Sequence, residues 1–192
     1  MKTIEQTYNE LCTQASDINE HLPTLYNLAK ECNTILELGV RSVVSTYAFA
    51  HARPKKIYFV DIVRHPNVDI FIQQCDREGI DVEFINKSSL SPETAKQVDL
   101  IFIDTLHTYY QLKKELRLHG NNSNKYIAFH DTIHNGHRDE NDPYITPEDY
   151  NLPKGLVPAI AEFLKENSHW KELKTYTNNN GLTVLINSTY KK

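Results

Sequence analysis

The succession of apolar runs along this chain predicts an α/β domain wound around a mostly parallel sheet. Three observations carry that expectation. Short unbroken apolar segments alternate with longer ones whose apolar residues recur at helical spacing. Unbroken apolar strands are what a sheet needs when helices cover both of its faces. Four runs also end in a carboxylate, at Glu37-Leu38-Gly39, Asp61, Asp104 and His130-Asp131, and open parallel sheets bind ligands beyond the carboxyl ends of their strands.

The elements follow in order. From Ile4 to Ala29, Leu, Ile, Tyr and Ala recur at helical spacing, which predicts one or two amphipathic helices broken near His21-Leu22-Pro23. Thr34 to Gly39 reads as a strand running into a glycine, and Ser45 to Ala52 as a helix. Lys56 to Asp61 is a second strand, Val68 to Glu78 a helix stopped by Gly79, and Asp81 to Ile85 a third strand. Val98 to Ile103 is a fourth. Its core, Ile101-Phe102-Ile103, would also suit a buried helix, but its length and the closing Asp104 favour a strand. Tyr109 to Leu118 is helical, with Tyr109, Leu112 and Leu116 on one side and Gly120 after its end. Tyr126 to Phe129 is a fifth strand.

Residues His134 to Lys154 are polar and carry Pro143, Pro147, Pro153, Tyr144 and Tyr150. A loop of that length is a lid, a binding loop or disordered. Leu156 to Asn167 is an amphipathic helix. Trp170 to Tyr176 and Leu182 to Asn187 bracket Asn178-Asn179-Asn180-Gly181, a hairpin signal because Asn and Gly tolerate positive φ. The expected whole is one domain over 1–192: a helical segment at 1–33, then a core at 34–192 with seven strands, a lid at 134–154 and a closing antiparallel hairpin.

The bulk properties bound the function. A chain of 192 residues can bury a single sizeable core. A net charge of −4 without a Lys/Arg run argues against a nucleic-acid partner. No stretch approaches the ~20 apolar residues of a membrane span. Lys2, Glu5, Asn9 and Glu10 interrupt any secretory segment after Met1. The three cysteines, Cys12, Cys32 and Cys75, form no CxxC pair and suggest a reducing, cytoplasmic setting in which they act as small hydrophobes.

Any one strand-end acid is accounted for by capping of the following turn, but four in succession are harder to ascribe to folding. Gly39 would let a ligand approach the backbone where a helix offers free N–H groups. Asp61, about twenty residues on, could accept hydrogen bonds from a ribose diol. The single glycine of Gly39-Val40-Arg41-Ser42-Val43 provides no GxGxxG or P-loop phosphate cradle, which disfavours NAD and ATP against S-adenosylmethionine (SAM).

The segment from Ile35 to Thr46 resembles the first motif of class I SAM-dependent methyltransferases. Ile103-Asp104-Thr105-Leu106-His107-Thr108-Tyr109 and Tyr126-Ile127-Ala128-Phe129-His130-Asp131-Thr132 resemble the "IDxxHxY" and "FHDT" strand ends of one branch. That branch holds macrocin and aminocoumarin sugar O-methyltransferases and cephalosporin hydroxylase-like proteins. Asn179 to Leu185 is similar to its closing hairpin, so the resemblance spans Thr34 to Asn187.

It implies a Rossmann-like, doubly wound fold and SAM as cofactor, with Glu37 and Gly39 beside the methionine part, Asp61 on the ribose, and Ser45 and Ser88 nearby. It also implies a divalent ion, Mg²⁺ or Mn²⁺, at Asp104, Asp131 and His130. A histidine in such a set shifts the preference from Mg²⁺ toward Mn²⁺, Fe²⁺ or Zn²⁺, or to no metal. The sequence departs from the branch twice. Val43 stands where many relatives carry a second glycine and would crowd the cofactor; Leu106 stands where the sugar methyltransferases carry a second Asp acting as base.

The candidate catalytic set is therefore Asp104, Asp131 and His107. His107 is either the remaining base or a helix-start histidine bonded to Asp131 or to backbone. His134 and His137 read as solvated loop residues, and Arg138-Asp139-Glu140-Asn141-Asp142 as a solvated charged stretch. Tyr144 and Tyr150 either close over a substrate or pack within the loop. The expected activity is O-methylation of a hydroxylated small molecule, sugar or glycan. The alternatives are a non-catalytic SAM-binding or accessory domain, or a metal-dependent oxygenase-like enzyme. The N-terminal helices would cover the cofactor or join two copies in a homo-oligomer.

Overall fold

The computed structural model describes residues 2–141, 146, 149 and 151–190. Two helices, α1 (Ile4–Thr13) and α2 (Leu22–Ala29), precede β1 (Thr34–Leu38). Then come α3 (Ser45–His51), β2 (Lys56–Val60), α4 (Pro66–Arg77), β3 (Val82–Ile85) and β4 (Val98–Ile103). After these follow α5 (Tyr109–His119), β5 (Ser123–His130), α6 (Leu156–Glu166), β6 (Trp170–Tyr176) and β7 (Leu182–Asn187). The strands form one seven-stranded sheet in the order β3-β2-β1-β4-β5-β7-β6. The first five are parallel, and β7 runs antiparallel between β5 and β6. The expected doubly wound sheet with a closing antiparallel hairpin is what forms.

Two apolar cores explain why the central strands read as continuous apolar runs. Ile35, Leu100, Phe102, Tyr126 and Ala128 face a core shared with α1 to α4. Leu36, Leu38, Ile101, Ile103, Ile127 and Phe129 face the opposite core under α5 and α6. Successive side chains of a strand point to opposite faces, so burial on both faces demands apolar residues at every position. Glu37 breaks the run, and its alternation places it on the α1–α4 side.

Boundaries differ from expectation where polar residues are buried by partners distant in sequence. β5 begins at Ser123, three residues before the expected Tyr126. Its Lys125 is buried against Glu31, with Nζ donating to Oε2 at 2.6 Å. A short 3-10 turn, Asn19–His21, joins α1 to α2, and Pro23 sits in the first turn of α2, where a missing N–H costs nothing. The hairpin tip runs through Asn179, Asn180 and Gly181 at φ of 46°, 68° and 96°. In the expected lid, the carbonyls of Asn135 and Gly136 accept from Leu156 N and Val157 N, each at 2.9 Å, and so pin the loop's start to the N-terminus of α6. Tyr144 and Tyr150 lie outside the described residues. The three cysteines are free. No described helix is long and apolar enough to cross a membrane.

Candidate active site and cofactor cavity

The chain leaves β1 toward β2 and β3 and returns across to β4, so the sheet's switch point lies between β1 and β4. A cavity of about 1080 Å³ opens there, lined in part by Gly39, Asp61 and Ser88 on one side and Asp104, His107 and Asp131 on the other. Gly39 has φ +84°, and a Cβ built on it would lie 2.0 Å from the Asp104 carbonyl oxygen. The glycine is thus required by the meeting of two strand ends, before any ligand is considered. Asp61 shapes the next turn: Oδ2 accepts from Val40 N at 2.9 Å and Arg41 N at 2.8 Å, and Oδ1 from Val63 N at 2.9 Å. A carboxylate offers about four lone-pair sites, which leaves capacity for a further donor from the cavity.

Val43 does not crowd the cavity. Its side chain is 1% exposed within the core, and the missing second glycine shows instead as backbone strain, with Val43 at φ 68° and Arg41 at φ 46°. Glu37 and Ser45 stand behind the cavity wall, fully or almost fully buried and outside its lining. Ser45 Oγ donates to Glu37 Oε1, whereas Glu37 Oε2 has no partner. Burial pushes the Glu37 carboxyl up to about 8.

The other side is a compact charge cluster. Two imidazole nitrogens face the same two carboxylate oxygens. His107 Nε2 lies 3.1 Å from Asp104 Oδ1 and 3.3 Å from Asp131 Oδ2, and His130 Nδ1 lies 3.2 Å and 3.0 Å from the same atoms. The remaining nitrogens are also taken. His107 Nδ1 is 2.9 Å from Glu140 Oε2, and His130 Nε2 donates to the Asn179 carbonyl at 3.2 Å. Burial alone would lower both imidazoles. Hydrogen bonds to Asp104 and Glu140 for His107, and to Asp104 and Asp131 for His130, outweigh it and raise each to about 10. Burial would raise Asp104, but the same two imidazoles hold it well below the usual carboxylate range.

The geometry bears on two expectations, the base role of His107 and the ligand role of His130. In the metal-free site, carboxylates facing both nitrogens favour the charged form of His107 over a free base, and an ion held at Nε2 would displace that proton. Among the described residues, the group whose ligand atoms lie within 4.8 Å of one another is Asp104, His107 and Asp131. His130, expected as the third ligand, is 1% exposed and sits beneath the carboxylates as a donor. His107 projects into the cavity in its place. Mixed oxygen and nitrogen donors suit Mn²⁺, Fe²⁺ or Zn²⁺ better than Mg²⁺.

Glu140 and Asp139 belong to the stretch read as solvated. Glu140 Oε1 accepts from His107 N at 3.1 Å, while Asp139 Oδ1 accepts from Tyr109 N at 3.0 Å and Gly155 N at 2.8 Å. These acids clasp the loop onto the start of α5. Nothing in their local sequence marks them, because their partners lie 16 to 33 residues away. His134 stays at the rim, where its carbonyl accepts from Arg138 Nε at 2.8 Å, and His137 is exposed. The segment before α2 reaches the cavity mouth through Asp17, which pairs with Arg41 at 2.8 Å. His21 is buried and donates from Nε2 to the Asn178 and Asn179 carbonyls at 3.0 and 3.2 Å.

A mostly parallel seven-stranded sheet of this order, with its cavity at the β1/β4 switch, defines the Rossmann-like methyltransferase fold. Solved structures agree. The chain superposes on the S-adenosylhomocysteine (SAH)-bound methyltransferase PaMTH1 of Podospora anserina with a TM-score of 0.58 at 15% identity, covering 98% of this chain and 88% of that one. For a putative caffeoyl-CoA O-methyltransferase from Staphylococcus aureus the TM-score is 0.62 at 16% identity, over 88% and 83% of the two chains. For the SAH complex of the N-methyltransferase NodS from Bradyrhizobium japonicum it is 0.59 at 15% identity, over 97% and 99%. No protein-family model matches the chain, and no curated protein sequence does.

Proposed function

We propose that the protein is a SAM-dependent O-methyltransferase whose acceptor is a hydroxylated small molecule, sugar or glycan unit, assisted by a divalent ion. One observation carries this reading: a single cavity at the switch point joins Asp61, with acceptor capacity to spare, to the Asp104–His107–Asp131 group. Its volume is ample for a nucleoside-sized cofactor and an acceptor together. The unpartnered oxygen of Glu37 leaves buried hydrogen-bonding capacity just behind the cavity wall.

SAM supplies an electrophilic methyl group when bound and leaves as SAH, and an ion would lower the pKa of the acceptor hydroxyl so that its proton passes to solvent water. Asp104, His107 Nε2 and Asp131 would hold that ion, with His107 Nδ1–H donating to Glu140 and so fixing the ring's tautomer. Gly39 and the turn shaped by Asp61 would set backbone against the cofactor, and His134, Asn135, Arg138 and Glu140 of the clasped loop line the same cavity.

The second reading is a domain that binds SAM without turnover. Leu106 in place of an acid and the charged state of both histidines favour it. Calorimetry with SAM and SAH, with and without Mn²⁺ or Mg²⁺, on wild type and Asp61→Asn tests the cofactor site. Micromolar binding that weakens in the variant is expected. No binding in any metal condition would remove both readings. Asp104→Ala that keeps SAM binding but loses methyl transfer would separate catalysis from a binding role.

A further inference from the structure

A second buried acid lies behind the cavity on its α5 side, and nothing in the reaction uses it. Glu115 has no exposed surface. Its contacts run to groups that line the cavity. Ser89 Oγ donates to its Oε1 at 2.5 Å, Thr105 Oγ1 lies 2.9 Å from both carboxylate oxygens, and Gln111 Nε2 donates to Oε1 at 2.9 Å. Gln111 Nε2 also donates to Ser89 Oγ at 3.1 Å. Both amide protons of Gln111 are therefore consumed, and the capacity left to it is that of an acceptor, through Oε1. The opposite amide orientation would set Oε1 against the carboxylate. Ser89 is clamped from its backbone as well: its carbonyl accepts from His119 Nε2 at 2.7 Å and Thr94 Oγ1 at 3.2 Å.

We propose that Glu115 is a positioning residue that locks Gln111 as a hydrogen-bond acceptor in the cavity, and that Gln111 thereby selects a cofactor nucleobase carrying an exocyclic amino group over its oxo counterpart. The inference rests on the SAM reading above and assigns that site's base selectivity. The surroundings suit a purine. Asp61, at the end of β2, has capacity for a ribose diol. Ile62, next to it, is 70% exposed, and with Leu90 and Leu106 it gives the same cavity apolar surface for a flat ring. An oxo group in place of the amino group would oppose one acceptor to another and leave Gln111 Oε1 unpaired.

The test is calorimetry on the full chain with SAH and with S-inosylhomocysteine, in which the amino group of the base is an oxo group. Wild type is expected to prefer SAH by about 30-fold, the size of one misplaced buried hydrogen bond. Glu115→Gln leaves the amide free to turn, and the preference should fall below about 3-fold, mainly through weaker SAH binding. Should that variant not fold, as judged by its circular dichroism and melting transition, Gln111→Leu carries the same expectation. A merely structural role for Glu115 would weaken both ligands equally and leave their ratio unchanged. An unchanged ratio in the variants, or SAH binding to wild type without preference, overturns the inference and leaves the SAM reading standing. Binding of neither ligand to wild type overturns both.

Discussion

Glu37 lies in β1 and Asp104 just past the carboxyl end of the neighbouring parallel β4, with Glu37 paired to Phe102, two residues before Asp104. Their environments drive them to opposite states. Glu37 receives one hydroxyl from Ser45, its other oxygen receives nothing, and burial pushes it up to about 8. Asp104 feels the same penalty but is met by two imidazoles, which hold it ionised far below neutrality. Burial alone does not set the charge of a carboxyl; the number and sign of its partners do. Two acids at the carboxyl ends of neighbouring strands are thus driven apart, burial favouring the neutral form of Glu37 and the two imidazoles the anionic form of Asp104.

The comparison can be broken most strongly at the anion. Asp104→Asn removes the charge between two imidazoles; on the proposed function it also removes a ligand, and Mn²⁺ affinity should fall by at least about 100-fold. Titration of the histidines by NMR should show His107 and His130 deprotonating at lower pH in that variant. Glu140→Gln leaves the anion and loosens His107; a 10- to 100-fold loss in Mn²⁺ affinity or methyl transfer is expected, on the order seen when the residue that orients a ligating histidine is lost.

Without metal, both imidazoles have folded pKa values near 10, above the unfolded value of 6.5. Their stabilisation is complete below about 6.5 and is lost as pH rises toward 10. Asp104, lowered, contributes above its unfolded value and loses that contribution on acidification. Urea midpoints of the metal-free protein should accordingly decline on the alkaline side, and His130→Gln should flatten that decline. Glu37 acts in the same sense as the histidines: its folded pKa lies above the unfolded 4.5, so its contribution is full below about 4.5 and is lost by about 8. Glu37→Gln should remove that slope, visible as a flatter midpoint profile between those values. The smallest effect belongs to Asp17→Asn. Its pair with Arg41 is solvent-exposed, and the melting transition should shift by less than about 0.5 kcal/mol of stability.

The fold was legible because the apolar runs of β1, β4 and β5 leave no room for a solvated face, and because Asn178 to Gly181 can hardly do anything but turn. That Asp61, Asp104 and Asp131 would meet beyond the strand ends was legible for the same topological reason. What escaped were residues whose role depends on pairing across the chain. Glu140 reads as one more charge in an exposed stretch until the loop folds back on His107. Glu115 reads as the polar face of α5 until Ser89 and Thr105 close over it. The assignment of His130 and His107 depended on which of two adjacent rings projects into the cavity, and strand periodicity does not decide that at the last residue of β5.

The Asn179 carbonyl accepts from both His130 and His21, so one peptide group in the closing hairpin completes a cluster begun at Asp104, with α5, β5, α6 and β6 between them. During translation at roughly 5–20 residues per second, the strands carrying Asp61, Asp104 and Asp131 emerge from the ribosome while that carbonyl is still unmade. Until it arrives, the ring of His130 keeps one nitrogen without its native acceptor and the turn before α2 has no tip to dock on. The sheet's parallel half can pair beforehand, but the chemistry at its edge is assembled last, when the hairpin returns.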